Sequence, residues 1–107
     1  MIAVVPKRFP ELPAAIEVAA YRIASEAVAN VVRHAGATHC TVRAVVEKEQ
    51  LVVEVLDDGR GFGAEVAVGV GLESLHDRAA EVGGTLEVVS AKDSGTSVTA
   101  RLPLEPQ

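Results

Sequence analysis

Four short stretches of the chain hold carboxylate, amide, hydroxyl and glycine residues in patterns suited to binding a metal, a base or a phosphate. In the first, Glu26, Asn30 and Arg33 stand four and then three residues apart, so in a helix they share one stripe. A carboxylate and an amide oxygen one turn apart are hard ligands of the kind that Mg²⁺ or its bound waters take. A charged triplet on a helix is by default a solvated face. Asn, however, is a mediocre helix former, and an interior one often has work for its amide. His34 follows at once. It could reach a phosphate, and a capping role near the helix C-terminus is an equally good reading.

The second stretch is Leu56-Asp57-Asp58-Gly59-Arg60-Gly61-Phe62. Asp-Gly is a strong turn signal, so a hairpin turn is the plain reading. Strand phase argues for more. Period two puts Leu51, Val53, Val55 and Asp57 on one face, and Val52, Glu54, Leu56 and Asp58 on the other. Asp57 therefore ends an entirely apolar row, where a carboxylate is costly unless something donates hydrogen bonds to it. An exocyclic amine such as adenine N6 is one candidate donor, and Gly59 and Gly61 would let the backbone lie close to a flat ring. Asp58, on the mixed face, is expected to be solvated.

In the third stretch, Gly69-Val70-Gly71-Leu72, two glycines precede a helical pattern. Free backbone N–H groups and the positive end of a helix dipole make such a junction attractive to anions, although a structural loop explains it as well. It does not match the dinucleotide-binding fingerprint, since Ser74 occupies the last glycine position, and no Gly-Lys-Ser/Thr of a Walker A motif occurs. The fourth, Gly95-Thr96, opens the last apolar run and by itself is an ordinary turn.

Periodicity predicts the helices and strands that carry these stretches. Ile2 to Val5 suit a short edge strand ended by Pro6, and a loop runs through Pro10 and Pro13. From Pro13 to Ala35 the pattern is helical, with Ile16, Ala20, Ile23, Ala27 and Val31 as the buried stripe. Pro13 fits the first turn and Gly36 the end. Thr38–Glu47 and Leu51–Asp57 alternate as an antiparallel hairpin about Lys48-Glu49-Gln50. After a loop from Asp58 to Gly71, Leu72, Leu75, Ala79 and Val82 mark a second amphipathic helix, stopped by Gly83-Gly84. Leu86–Ser90 and Ser97–Pro103 form a second hairpin turning at Asp93-Ser94-Gly95. This order predicts an α+β fold, with helices on one face of a mostly antiparallel sheet.

Composition narrows the function classes. With 107 residues, 49% hydrophobic but only 3% aromatic, the chain should form one domain whose core is built from Val, Ala, Leu and Ile. A net charge of -5 argues against a general nucleic-acid binder, which needs a basic face. The single cysteine, Cys40, excludes an internal disulfide framework and a multi-Cys zinc site and fits a reducing compartment. Charges at Arg22, Glu26 and Arg33 interrupt the most apolar region, and the N-terminus has no signal-peptide pattern. A soluble cytoplasmic domain that does not enter the membrane is expected.

Taken in order, Glu26-x-x-x-Asn30, Asp57-x-Gly59-x-Gly61, Gly69-x-Gly71-Leu72 and Gly95-Thr96 resemble the N, G1, G2 and G3 boxes of the GHKL ATPase superfamily. Tyr21-Arg22-Ile23, Arg33-His34-Ala35 and Asp77-Arg78-Ala79 through Gly83-Gly84-Thr85-Leu86 make the chain similar, from about Leu12 to Leu104, to the catalytic domain of NarL/DesK-type sensor histidine kinases. The resemblance implies a Bergerat-type two-layer α/β sandwich, with ATP held between the helices and a lid. Asp57 would bind adenine N6, and Asn30 would ligate Mg²⁺. Glu26 would order the hydration of that metal, at the position that activates water in hydrolytic relatives. Arg33 and His34, beside this box, would also bind the nucleotide. Gly59 and Gly61 would shape the adenine pocket, Gly69, Gly71 and Leu72 would border the lid and phosphates, and Thr96 would help to close the base end.

The resemblance further implies a fragment of a longer kinase, which passes the γ-phosphoryl group to a histidine on a separate dimerisation domain and then to a response regulator. None of His34, His39 and His76 has the context of that acceptor. Phe62 to Val68 holds no Lys or Arg, and Val70 stands where many such kinases carry a polar residue, usually His. Two alternatives share the boxes: a free-standing anti-sigma-factor serine kinase, and a degenerate module used only for contacts.

Overall fold

The computed structural model of the chain describes residues 2–5, 12–30, 39–59, 72–90 and 95–104. Its elements in order are β1 (Ile2–Val5), α1 (Ala14–Asn30), β2 (Cys40–Glu47), β3 (Gln50–Asp57), α2 (Leu72–Glu81), β4 (Thr85–Ser90) and β5 (Thr96–Pro103). The five strands form one sheet in the order β1-β2-β3-β5-β4. β1 joins the edge parallel to β2, and every other pairing is antiparallel. The two hairpins and the edge strand expected from periodicity are all present, and the fold is the expected α+β sandwich.

Side-chain phase decides which face the helices cover. Leu51, Val53 and Val55 of β3 share a buried cluster with Cys40 and Val42 of β2, with Val98, Ala100 and Leu102 of β5, and with Ile16, Ala19, Ile23 and Ala27 of α1. Leu75 and Ala79 of α2 complete it, both with no exposed surface. Burial of a side chain such as Ile23, Leu75 or Leu102 contributes about 1.5–3 kcal/mol relative to an exposed one. The stripe on α1 is rotated slightly from the one read in the sequence. Ala19 is buried, while Ala20 is half-buried and packs against the cluster margin. Alanine is small enough to satisfy either position, so periodicity alone could not choose.

The ends of the elements have local causes. The Pro13 carbonyl accepts the first helical bond of α1 from Glu17 N–H at 3.0 Å, which places Pro13 at the helix boundary. At the end of α2, Gly84 N–H donates to Ala79 C=O at 2.8 Å and Gly83 N–H to Ala80 C=O at 3.0 Å, the paired bonds of a Schellman motif. Gly83 sits in its left-handed position at φ 76°. A side chain at Gly84 would meet the Arg101 carbonyl oxygen at 2.5 Å, so this second glycine lets the helix end press against β5. The β2–β3 turn is tighter than the three residues read in the sequence. Glu47 pairs directly with Gln50, and Lys48 and Glu49 both take positive φ, at 50° and 61°. That geometry twists with the strands but normally recruits Asn or Gly.

Candidate functional site

The register carries one row of side chains across the end of the sheet. Cys40 pairs with Asp57, and Asp57 pairs with Thr96. Residues directly opposite in antiparallel strands point to the same face, with Cβ atoms about 4.5–5.5 Å apart. Asp57 therefore lies between a buried thiol and a buried hydroxyl residue, on the face covered by the helices, as its strand phase requires. The carboxylate is half-buried, and its Oδ1 accepts the Gly59 N–H at 2.7 Å. That bond holds one oxygen of the carboxylate from the chain just beyond the strand.

Two backbone features tighten this corner. Gly95, at φ 81°, runs so close to β3 that an added Cβ would lie 2.2 Å from the Asp57 carbonyl oxygen. The glycine of Gly95-Thr96 thus fixes the approach of β5 to Asp57, a role that the sequence left as an ordinary turn. Asp58, on the opposite phase, is exposed as expected but engaged. It accepts the His39 N–H on Oδ1 at 2.8 Å and meets His39 Nδ1 on Oδ2 at 3.1 Å, while its own N–H donates to the His39 carbonyl at 3.2 Å. The side chain extends the β2–β3 ladder by one step beyond its last strand pair. The same neighbourhood acts on Cys40, whose thiol pKa is raised first by burial and then by the negative charge of Asp57, with Asp58 adding to it.

The second group of site residues lies between the helices. Glu26 and Asn30 are half-buried on α1, flanking the buried Ala27. Both oxygens of Glu26 are taken by α2: Oε1 accepts Arg78 Nε–H at 2.6 Å, and Oε2 accepts the Ser74 hydroxyl at 3.0 Å. The helices run antiparallel, since the first turn of α2 meets Glu26 while Glu81 and Val82 line a cavity with Ala14, Ala15 and Val18. That cavity, of about 380 Å³, also reaches Arg22 and Arg78 but neither Asp57 nor Asn30.

Chain connectivity relates the two groups. Residues 31–38 run from the end of α1 to Cys40, and residues 60–71 run from the Asp57 corner to the start of α2. Glu26, Asn30, Asp57, Gly59, Leu72 and Thr96 are thus placed, with only the backbone of Leu72 described. Arg33, His34, Gly61, Gly69 and Gly71, together with the expected lid from Phe62 to Val68 and Val70, lie outside the described residues. The sequence reading missed three contributors. Arg78 and Ser74 carried no local signal for their contact with Glu26, and Cys40 was weighed only for disulfides and zinc.

A mixed sheet with β1 parallel at its edge, antiparallel strands beyond it and two antiparallel helices on one face defines a two-layer Bergerat-type sandwich. Residues 15–106 match the family described as histidine kinase-, DNA gyrase B- and HSP90-like ATPases. The chain belongs to that family and is a GHKL ATP-binding kinase domain, homologous to histidine kinase catalytic domains. It is 38% identical over 89 residues to the sensor histidine kinase LiaS of Bacillus subtilis, covering 81% of this chain and 25% of LiaS. It is 34% identical over 99 residues to the sensor protein VraS of Staphylococcus epidermidis, covering 91% of this chain and 28% of VraS. The chain therefore spans about a quarter of the length of these curated relatives.

Among solved structures, the ATP binding domain of PrrB from Mycobacterium tuberculosis matches 97% of this chain and 79% of its own, with a TM-score of 0.71 and 26% identity. The histidine kinase domain of the blue-light activated kinase EL346 from Erythrobacter litoralis shares the fold with a TM-score of 0.81, over 96% of this chain and 51% of its own at 24% identity. No helix among the described residues is long and apolar enough to cross a membrane.

Proposed function

We propose that this chain is the cytoplasmic, ATP·Mg²⁺-binding catalytic domain of a two-component sensor histidine kinase, which passes the γ-phosphoryl group of ATP to a histidine on a separate dimerisation domain and then to a response regulator. The observation that carries the reading is Asp57, a carboxylate at the end of an apolar row, held between Cys40 and Thr96 and oriented by the Gly59 N–H. A polar acceptor at the margin of a core needs a donor, and the exocyclic amine of adenine supplies one. The sensor histidine kinase LiaS among the relatives favours a histidine over a serine acceptor.

The residues fit the implied nucleotide and metal. Glu26 and Asn30 offer hard oxygen ligands from adjacent turns of α1, and among the described residues no group of three His, Cys, Asp or Glu could hold a metal alone. That donor set suits Mg²⁺, which is commonly bound by one or two protein oxygens together with phosphates and waters. Bound Mg²⁺ would neutralise charge on the phosphates, where positioning and electrostatics do most of the catalysis. Asp57 accepts the base, Thr96 and Gly59 bound its pocket, and Asn30 holds the metal side. Glu26 orders water there. Arg33, His34, Gly61, Gly69, Gly71 and Leu72 belong to the same site through the sequence motifs.

Calorimetry of the purified chain with a non-hydrolysable ATP analogue and Mg²⁺ tests the reading. Saturable heat below millimolar nucleotide is expected. Its absence at millimolar concentration removes the nucleotide function, and with it the kinase.

A further inference from the structure

We propose that Arg78, assisted by Ser74, is a positioning residue for Glu26, and that through this contact α2 sets how strongly Mg²⁺ supports nucleotide binding. The inference rests on the nucleotide reading above and specifies how its metal side is built. Both oxygens of Glu26 are engaged from α2, by Arg78 at 2.6 Å and Ser74 at 3.0 Å. The short Arg78 contact is a charge-assisted bond. With the two side chains only 28% and 33% exposed, it is sheltered enough to keep one geometry.

A carboxylate that orders metal-bound water depends on the outer groups that fix its orientation, and losing such a group typically costs 10–100-fold in metal affinity or activity. Arg78 suits this role because a guanidinium stays charged and binds in a fixed direction. Each Glu26 oxygen accepts one bond here and keeps a second lone pair for a metal-bound water. α2 begins at Leu72, directly after the Gly69-Val70-Gly71 stretch. A displacement of its first turns would carry Ser74 and Arg78, and so the orientation of Glu26, along with it. An interhelical brace with no such role would instead alter stability without discriminating between metal-free and metal-bound nucleotide.

The test uses the purified chain and ADP as probe, with calorimetry in EDTA and in excess Mg²⁺; the ratio of the two affinities is the metal's contribution. Arg78→Ala is expected to shrink that ratio about 10-fold while leaving metal-free affinity unchanged. Arg78→Lys, which keeps the charge but loses the Nε geometry, should recover part of it, and Ser74→Ala should lose less than Arg78→Ala. Thermal melts followed by circular dichroism confirm that each variant is folded; should Arg78→Ala fail to fold, the Arg78→Lys and Ser74→Ala ratios decide. An unchanged ratio, or a parallel loss with and without Mg²⁺, overturns the inference and leaves a brace. A wild-type chain that binds no ADP in either condition overturns the proposed function itself, and this inference with it.

Discussion

Asp57 is held by its own strand and the strands beside it, whereas Glu26 is held by a helix whose partner residues lie 48 and 52 positions along the chain. The first arrangement is nearly all backbone. The ladder places Asp57 between Cys40 and Thr96, Gly59 two residues on donates to it, and Gly95 lets β5 come close. The second is all side chain, two donors on one helix reaching a carboxylate on another. A sheet register cannot slip by one residue without inverting every side chain, so the Asp57 corner is stiff by construction. The Glu26 contact depends on how two helices pack and can be changed by substituting one residue.

The largest expected effect strikes the backbone side of this contrast. Gly95→Ala forces a Cβ to 2.2 Å from the Asp57 carbonyl oxygen at φ 81°. Strained backbone alone costs about 1–3 kcal/mol, so with the clash the loss should reach roughly 3 kcal/mol, read by urea denaturation. A loss below about 1 kcal/mol would mean that the corner yields easily and the contrast is overstated.

Next in size, Asp57→Asn should weaken nucleotide binding about 10–100-fold in calorimetry, equally with and without Mg²⁺, because a hydrogen bond to a charged acceptor is worth about 1.5–3 kcal/mol. Asn oxygen can still accept from Gly59, so the thermal melt should barely move. Asn30→Asp is expected to change affinity only when Mg²⁺ is present. If both variants behaved alike, the division between base end and metal end would fail.

The smallest effect concerns Cys40. Burial and the charge of Asp57 favour its neutral form in the folded chain. The stability this contributes is fully present below the ordinary thiol value of 9.0 and is lost as pH rises from there through the raised folded pKa. Stability measured by denaturation should therefore fall with pH above about 9, and Cys40→Ala should flatten that fall. An unchanged slope in the variant would mean that the Cys40 thiol contributes nothing to that fall.

Asp57, Asp58 and α1 differ in how much of their surroundings a local pattern reveals. Asp57 was legible because alternation is a local property: Leu51, Val53 and Val55 predict the buried face, and a carboxylate at the next position stands out. Asp58 was assigned to the correct face, yet its bonds to His39 were invisible because they depend on where β2 begins. On α1 the stripe was legible but its rotation was not, since Ala19 and Ala20 are interchangeable by hydropathy. Gly95 read as a turn because its need for a bare backbone comes from the strand beside it.

Local pattern is enough for the element order, the two hairpins, the helix stop at Gly83-Gly84 and the phase that turns Asp57 toward the helices. All of these follow from periodicities of two and 3.6 residues and from the backbone freedom of glycine. Folding adds that Arg78 and Ser74 hold Glu26, that Cys40 and Thr96 flank Asp57, and that Gly95 is pinned against β3. Those contacts join residues distant in the chain. Their geometry is set by helix packing and strand register, which no local pattern encodes.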